Sequence, residues 1–183
     1  MKRFFAILAL VFAGLAPAAA QAPAADPQNT VYLDTKDGRI TIRLRPDLAP
    51  KHVEQIKALT KQGFYNGIVF HRVIDGFMAQ TGDPTGTGAG KSSLPNIPAE
   101  FSSTQYKRGS VGMARSQSPD SANSQFFICF DGCGPLTGQY TLFGEVVSGM
   151  DVVDKIKKGD QARNGQVSNP DKIVKMQLAA DAK

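Results

Sequence analysis

The feature that most constrains this chain is a run of short alternating segments cut apart by turn residues. The clearest is Arg39 to Arg45, where Ile40, Ile42 and Leu44 face one way and Thr41, Arg43 and Arg45 the other. Period-two alternation of this kind predicts a half-buried strand with one wet face. Just before it, Lys36-Asp37-Gly38 is a hairpin signal that joins it to a strand at Val31–Asp34. Further strands are expected at 69–74, 78–81, 110–114, 125–130, 141–146 and 172–178. The last sets Val174, Met176 and Leu178 against Lys175 and Gln177. The 18 glycines and 11 prolines supply the turns between them.

Only two stretches read as helix. Pro50 to Gln62 has Pro50 suited to a first turn, Val53, Ile56 and Leu59 on one face, and Gly63 as a stop. Met150 to Lys158 puts Val152, Val153 and Ile156 inward, with Gly159 as a cap. Many short strands and two helices within 183 residues argue for one mostly-β domain, a barrel or a sandwich.

The ends of the chain stand apart from this domain. Lys2 and Arg3, the apolar run Phe4 to Leu15, and Ala18-Ala19-Ala20 form the pattern of a secretory signal peptide cleaved before Gln21. An uncleaved anchor is the weaker reading, because the run, even stretched to Ala20, is near the short limit for spanning a bilayer, and it ends in small residues and Pro17. The expected organisation is a signal peptide at 1–20, a flexible leader at 21–28, the domain at 29–178 and a tail at 179–183. The expected location is the periplasm, with full secretion as the alternative.

The formal net charge is +5, and removing Lys2 and Arg3 leaves +3 because residues 1–20 hold no acid. The basic residues are spread out, which argues against a nucleic-acid partner. No second apolar segment invites a membrane once the signal is cleaved, and nothing in the sequence requires more than a monomer. Cys129 and Cys133 flank Phe130-Asp131-Gly132, a stretch that can turn. In an oxidising compartment they either close a small local disulfide or stay free, and the sequence leaves both open. With the distant His52 and His71 they match no zinc-ligand spacing, so neither a metal nor another cofactor is expected.

The chemistry concentrates in two stretches, Phe70-His71-Arg72-Val73-Ile74-Asp75-Gly76-Phe77-Met78-Ala79-Gln80 and Ser124-Gln125-Phe126-Phe127-Ile128. Alternation puts Phe70 and Arg72 on one strand face, Met78 and Gln80 on another, and Gln125 and Phe127 on a third. Converging, these faces make an apolar patch of Phe77, Met78 and Phe127 that holds one cation and two amides. Phe126 and Ile128 then point to the core. His71 reads as structural and His52, in the first helix, as a surface residue. Thr85-Gly86-Thr87-Gly88-Ala89-Gly90-Lys91-Ser92 is not a phosphate loop. That motif needs Gly where Thr85 stands, and Pro95 and Pro98 argue against a following helix.

At these residues the chain resembles the cyclophilin family. The run Phe-His-Arg-x-Ile-x-Gly-Phe-Met-x-Gln-x-Gly-Asp stands at Phe70 to Asp83, and Ser-Gln-Phe-Phe-Ile at Ser124 to Ile128. Gly112-Met113-Ala114 and Leu142-Phe143-Gly144-Glu145-Val146 also fit, so the resemblance covers about residues 29–178 in order. It implies a closed eight-stranded antiparallel β-barrel capped by two α-helices. It also implies non-covalent peptidyl-prolyl cis/trans isomerase activity (EC 5.2.1.8 class) that assists the folding of exported proteins, with proline-containing unfolded or partly folded polypeptides as partners. By the same resemblance Arg72 is the catalytic residue, and Phe77, Met78, Phe127 and Leu136 wall a proline pocket. Gln80 and Gln125 contact the substrate backbone, and the peptide lies along Ala114 and the backbone of Arg115. Two positions depart from the best-known eukaryotic members: Pro135 stands where Trp is usual, and Tyr140 stands where His is usual, as a substrate-binding residue that still offers a ring and a hydroxyl. The loss of Trp argues against tight cyclosporin binding. Arg115, where a small polar residue is common, is expected to bias sequence preference near proline. A binding module without catalysis and a small-molecule carrier barrel are the competing readings. The intact Arg72, Phe77, Met78, Gln80 and Phe127 favour the enzyme.

Overall fold

The structure, a computed structural model, describes residues 26–182. The expected signal peptide and residues 21–25 of the leader lie outside the described residues. Residues 26–28, read as the end of the leader, instead enter a 3-10 turn at Pro27–Asn29, where the Asp26 side chain accepts from the Gln28 N–H.

The hairpin signal at Asp37-Gly38 joins β1 (Thr30–Thr35) to β2 (Gly38–Leu44), paired antiparallel from Thr30↔Arg43 to Thr35↔Gly38. Six more strands follow: β3 (Arg72–Ile74), β4 (Met78–Thr81), β5 (Ser110–Met113), β6 (Phe126–Cys129), β7 (Leu142–Ser148) and β8 (Lys175–Leu178). They form one eight-stranded antiparallel sheet in the order β3-β4-β6-β5-β7-β2-β1-β8. β8 begins at Lys175, so Val174, expected to point inward, is 54% exposed.

The expected closed barrel is not what this chain builds. β3 and β8 are the free edges of the ladder, and the sheet is an open, curled half-barrel. Closure would need residues 69–71 and 165–173 to run as regular strands. Pro170 has no N–H to give, and Asn164, Gly165 and Asn169 take positive φ, so that second stretch stays irregular. It crosses the seam as a strap of single backbone bonds instead. Gly67 N–H donates to Ile173 O (2.7 Å), Phe70 N–H to Asp171 O (2.9 Å), Val167 N–H to His71 O (3.1 Å) and Val73 N–H to Gly165 O (2.8 Å). A covered edge of this kind offers no template for edge-to-edge pairing.

The two faces of the sheet carry different things. The concave face packs the main core, with Val31, Leu33, Ile40, Ile42, Val73, Ala79, Val111, Phe126 and Ile128 all buried. Two helices close over it, α1 (Pro50–Lys61) through Val53, Ile56 and Leu59, and α2 (Met150–Lys155) through Val152 and Val153. α2 stops short of Lys158 because Ile156 turns extended (ψ 128°). His52 corrects the sequence reading. It is fully buried, and its Nδ1 lies 2.6 Å from Glu100 Oε2. The Glu100 carboxylate also accepts the Lys51 and His52 backbone N–H groups, both at 3.1 Å, and so caps the start of α1 from a distant loop. Burial pulls the His52 pKa down more than Glu100 pulls it up. Burial alone would raise the Glu100 pKa, but its bonds to His52 and Lys51 outweigh that and hold it below the ordinary value.

On the convex face a second cluster gathers Met78, Tyr106, Phe127, Cys129, Cys133 and Leu142. Cys129 and Cys133, left open by the sequence, form a disulfide with Cα atoms 5.9 Å apart, and both sulfurs are buried in this cluster.

Candidate active site

Register decides which side chains meet on the convex face. Arg72 on β3 is opposite Gln80 on β4, and Gln80 is opposite Phe127 on β6, which is opposite Gly112 on β5. Met78, two residues before Gln80, falls on the same face. The motif residues thus share one surface although 55 positions separate Arg72 from Phe127. Gly112 is required here, because a Cβ at this position would run into the Tyr106 hydroxyl and the Phe127 ring. Phe70, expected to share the Arg72 face, is fully buried in the concave core instead. Regular alternation begins only at Arg72, since 69–71 belong to the irregular seam.

Above this surface lies a cavity of about 170 Å³, lined by Arg72, Phe77, Met78, Gln80, Ala114, Arg115, Phe127, Leu136 and Tyr140. These are nine of the ten residues singled out from the sequence. Gln125, the tenth, lies next door, where its Oε1 accepts Gln80 Nε2 at 2.9 Å. Phe127 is held between two rings, stacked near Tyr106 (centroids 6.0 Å apart) and edge-on to Tyr140 (5.9 Å). Leu136 and Tyr140 come from the segment that follows the disulfide, and Leu136 ends a 3-10 turn at Gly134–Leu136. Pro135, in the same turn, is exposed and does not line the cavity.

Arg72 is fixed at all three of its nitrogens. Nε donates to Asn164 O (3.0 Å), Nη2 to Asn164 Oδ1 (2.9 Å) and Nη1 to Gln80 Oε1 (3.1 Å). Burial draws its pKa below the ordinary guanidinium value, and it still stays protonated at neutral pH. The chain of bonds continues through Gln80 to Gln125, whose Nε2 donates to the Gly88 and Gly90 carbonyls at 3.0 and 2.8 Å. Those two glycines belong to the Gly-rich loop, which wraps round Asp83. The buried Asp83 carboxylate accepts from the N–H groups of Thr85 (2.7 Å), Gly88 (2.6 Å) and Gly90 (3.1 Å). Its donors thus turn inward to a carboxylate.

Asn164 was missed in the sequence. Its one signal was the Asn164-Gly165 dipeptide, a turn marker without hint of its target. Tyr106 gave no signal, since it lies in an irregular stretch. His71 is buried, as a structural residue would be, and its ring is drawn below the ordinary pKa chiefly by burial.

The chain is similar to several known proteins. The profile of the family described as cyclophilin type peptidyl-prolyl cis-trans isomerase/CLD matches residues 30–178. A Brucella suis protein named a probable peptidyl-prolyl cis-trans isomerase is 58% identical over 190 residues, with 97% of each chain covered. A peptidyl-prolyl cis-trans isomerase of Helicobacter pylori is 44% identical over 136 residues, which cover 70% of this chain and 80% of that one. Among solved structures, cyclophilin AquaCyp293 from Hirschia baltica superposes with a TM-score of 0.76 at 28% identity, covering 87% of this chain and 77% of its own. A Cryptosporidium parvum cyclophilin type isomerase, solved in the presence of the dipeptide Ala-Pro, gives 0.74 at 29% identity, covering 81% and 98%. By profile, relatives and architecture together, the chain belongs to the cyclophilin family and is a peptidyl-prolyl cis-trans isomerase.

Proposed function

We propose that Arg72 is the catalytic group of this isomerase, and that the cavity beside it receives the proline ring. An X-Pro bond resists rotation by about 18–20 kcal/mol because the nitrogen lone pair is delocalised into the carbonyl. A guanidinium that donates to that nitrogen favours the pyramidal, non-conjugated geometry reached only at the top of the barrier. The contact is therefore stronger in the transition state than in either ground state. Phe77, Met78, Phe127 and Leu136 grip the ring, with Tyr140 as a further wall. Gln80 and Gln125 meet the substrate backbone, and the peptide runs along Ala114 and the backbone of Arg115. The apolar side chains of the wall strengthen the cation's field by keeping water from it.

The observation that carries this reading is the anchoring of Arg72. A guanidinium has five N–H donors, and three are taken by Asn164 and Gln80. Two remain without an oxygen partner, on a group that cannot swing away, beside a cavity of about 170 Å³. The test is an isomerisation assay on Ala-Ala-Pro-Phe in the cold, where spontaneous exchange is slow. Arg72→Ala is expected to lower kcat/KM by about 10²- to 10³-fold with an unchanged melting curve. A variant as fast as the wild type would move the chemistry elsewhere.

The substrates we propose are proline-containing segments of exported proteins, met in the periplasm after the signal is removed. The charged start, apolar run and small residues of positions 1–20 support this. Cell fractionation with N-terminal sequencing should find the protein outside the cytoplasm, beginning at Gln21.

A further inference from the structure

The described residues contain seven arginines, and their pairing divides them into two groups. Arg39, Arg43, Arg45, Arg108 and Arg163 each make a salt bridge with an Asp or Glu. Arg72 and Arg115 make none, and both line the cavity of the proposed proline site. A second cavity of about 430 Å³ adjoins it and shares Gln80, Ala114 and Arg115 as walls. Lys91 lines this neighbour, also makes no salt bridge, and donates to Asn96 Oδ1 at 3.1 Å. Among the described residues, no acidic residue lines either cavity. The two carboxylates close by in sequence are otherwise engaged. Asp83 is buried under the Gly-rich loop, and Asp120 accepts the Ala99 N–H at 2.8 Å.

Arg115 stands where the two cavities meet, and it is held there. Its guanidinium donates to the carbonyls of Gln139 (3.0 Å), Ser116 (2.9 Å) and Gln117 (3.3 Å), and lies 4.5 Å from the Tyr140 ring centroid. Carbonyls and a ring face fix its position without neutralising its charge. A cleft walled by uncompensated cations of one sign draws in counter-charge.

We propose that this isomerase prefers prolines flanked by acidic residues, whose carboxylates are received by Arg115 and Lys91 in the adjoining cavity. The inference rests on the proposed placement of proline beside Arg72 and names the substrate class of that site. Because the cavities share walls, the acidic side chain belongs about one or two residues from the proline, at about 3.8 Å of chain per residue.

The test compares kcat/KM for Glu-Ala-Pro-Phe, Ala-Ala-Pro-Phe and Lys-Ala-Pro-Phe, and for a second set with the charge placed after the proline. In one of the two sets the Glu peptide is expected to exceed the Lys peptide by about three- to tenfold at low salt. The ratio should shrink toward one at 1 M salt, where the screening length is about 3 Å. Lys91→Gln should leave the Ala peptide unaffected and lower the Glu/Lys ratio, and Arg115→Gln should lower it further. Equal rates for Glu and Lys peptides in both sets, in an enzyme active on the Ala peptide, would overturn this inference alone. So would a ratio that neither substitution changes. A wild type inert on the Ala peptide would sink the catalytic reading and the inference with it.

Discussion

Arg72 shows how much of this site depends on a partner far away in sequence. Asn164 holds two of its three nitrogens, and it can do so because Asn tolerates the left-handed backbone (φ 53°) from which both its carbonyl and its side chain face the guanidinium. Asn164→Gly keeps that backbone and the contact through the carbonyl, and removes the side chain that carries Oδ1. It is expected to lower kcat about three- to tenfold with little change in KM, because ring binding is untouched while the donor loses its aim. Steady-state kinetics at saturating peptide checks the split. At this scale the sequence was legible where motif residues touch one another and silent where they touch something remote. Gln80 and Met78 lie on the strand that pairs with Arg72, so alternation alone placed them. Asn164 is 92 residues away, and the buried His52 finds its polar partner in Glu100, 48 residues on. No local pattern carries such information.

At the scale of elements, the segment after β6 is the part of the pocket wall with the least regular structure, and the disulfide supports it. Cys129 ends the strand and Cys133 precedes the turn that carries Leu136 and leads to Tyr140. The chain-entropy effect of so short a loop is about 2 kcal/mol. Cys129→Ala with Cys133→Ala should therefore lower the melting temperature modestly and raise KM several-fold, since two walls of the ring pocket lose their anchor. Unchanged KM in the double variant would show that packing alone holds the wall. The start of α1 gives a pH prediction. Burial depresses both His52 and His71 below the ordinary imidazole value near 6.5. The unfolded chain then takes up protons first as pH falls. Stability is fully present above about pH 6.5 and is lost as the pH drops through the folded pKa values. Thermal melts between pH 7.5 and 5 should show this decline, and His52→Gln should flatten it. A decline left unchanged by that substitution would assign it to other groups.

For the molecule as a whole, the consequence of the fold is that the main core and the proposed active site sit on opposite faces of one sheet. Ile128→Ala, on the concave face, is expected to cost about 2–4 kcal/mol in denaturant melts and leave kcat/KM of the folded fraction nearly unchanged. Phe127→Ala, the next residue back on the convex face, should lower kcat/KM by tenfold or more through loss of the ring wall. Similar kinetic damage from both would mean that the faces are coupled. The parity that separates these neighbours was readable from Phe126 to Ile128 because that strand is regular. The closed barrel was not borne out for the converse reason. Whether the last edge pairs depends on 69–71 and 165–173, where Pro170 and the positive-φ asparagines break the alternation that sequence reasoning relies on.

The strap across the open seam has a bearing on how the protein would fail. Gly165 and Val167 fasten the edge of β3, and the preceding residue, Asn164, grips the guanidinium. The latch on the seam and the grip on Arg72 share one short stretch of chain. Warming that loosens the latch would release Arg72 while the concave core is still packed, so inactivation should precede melting.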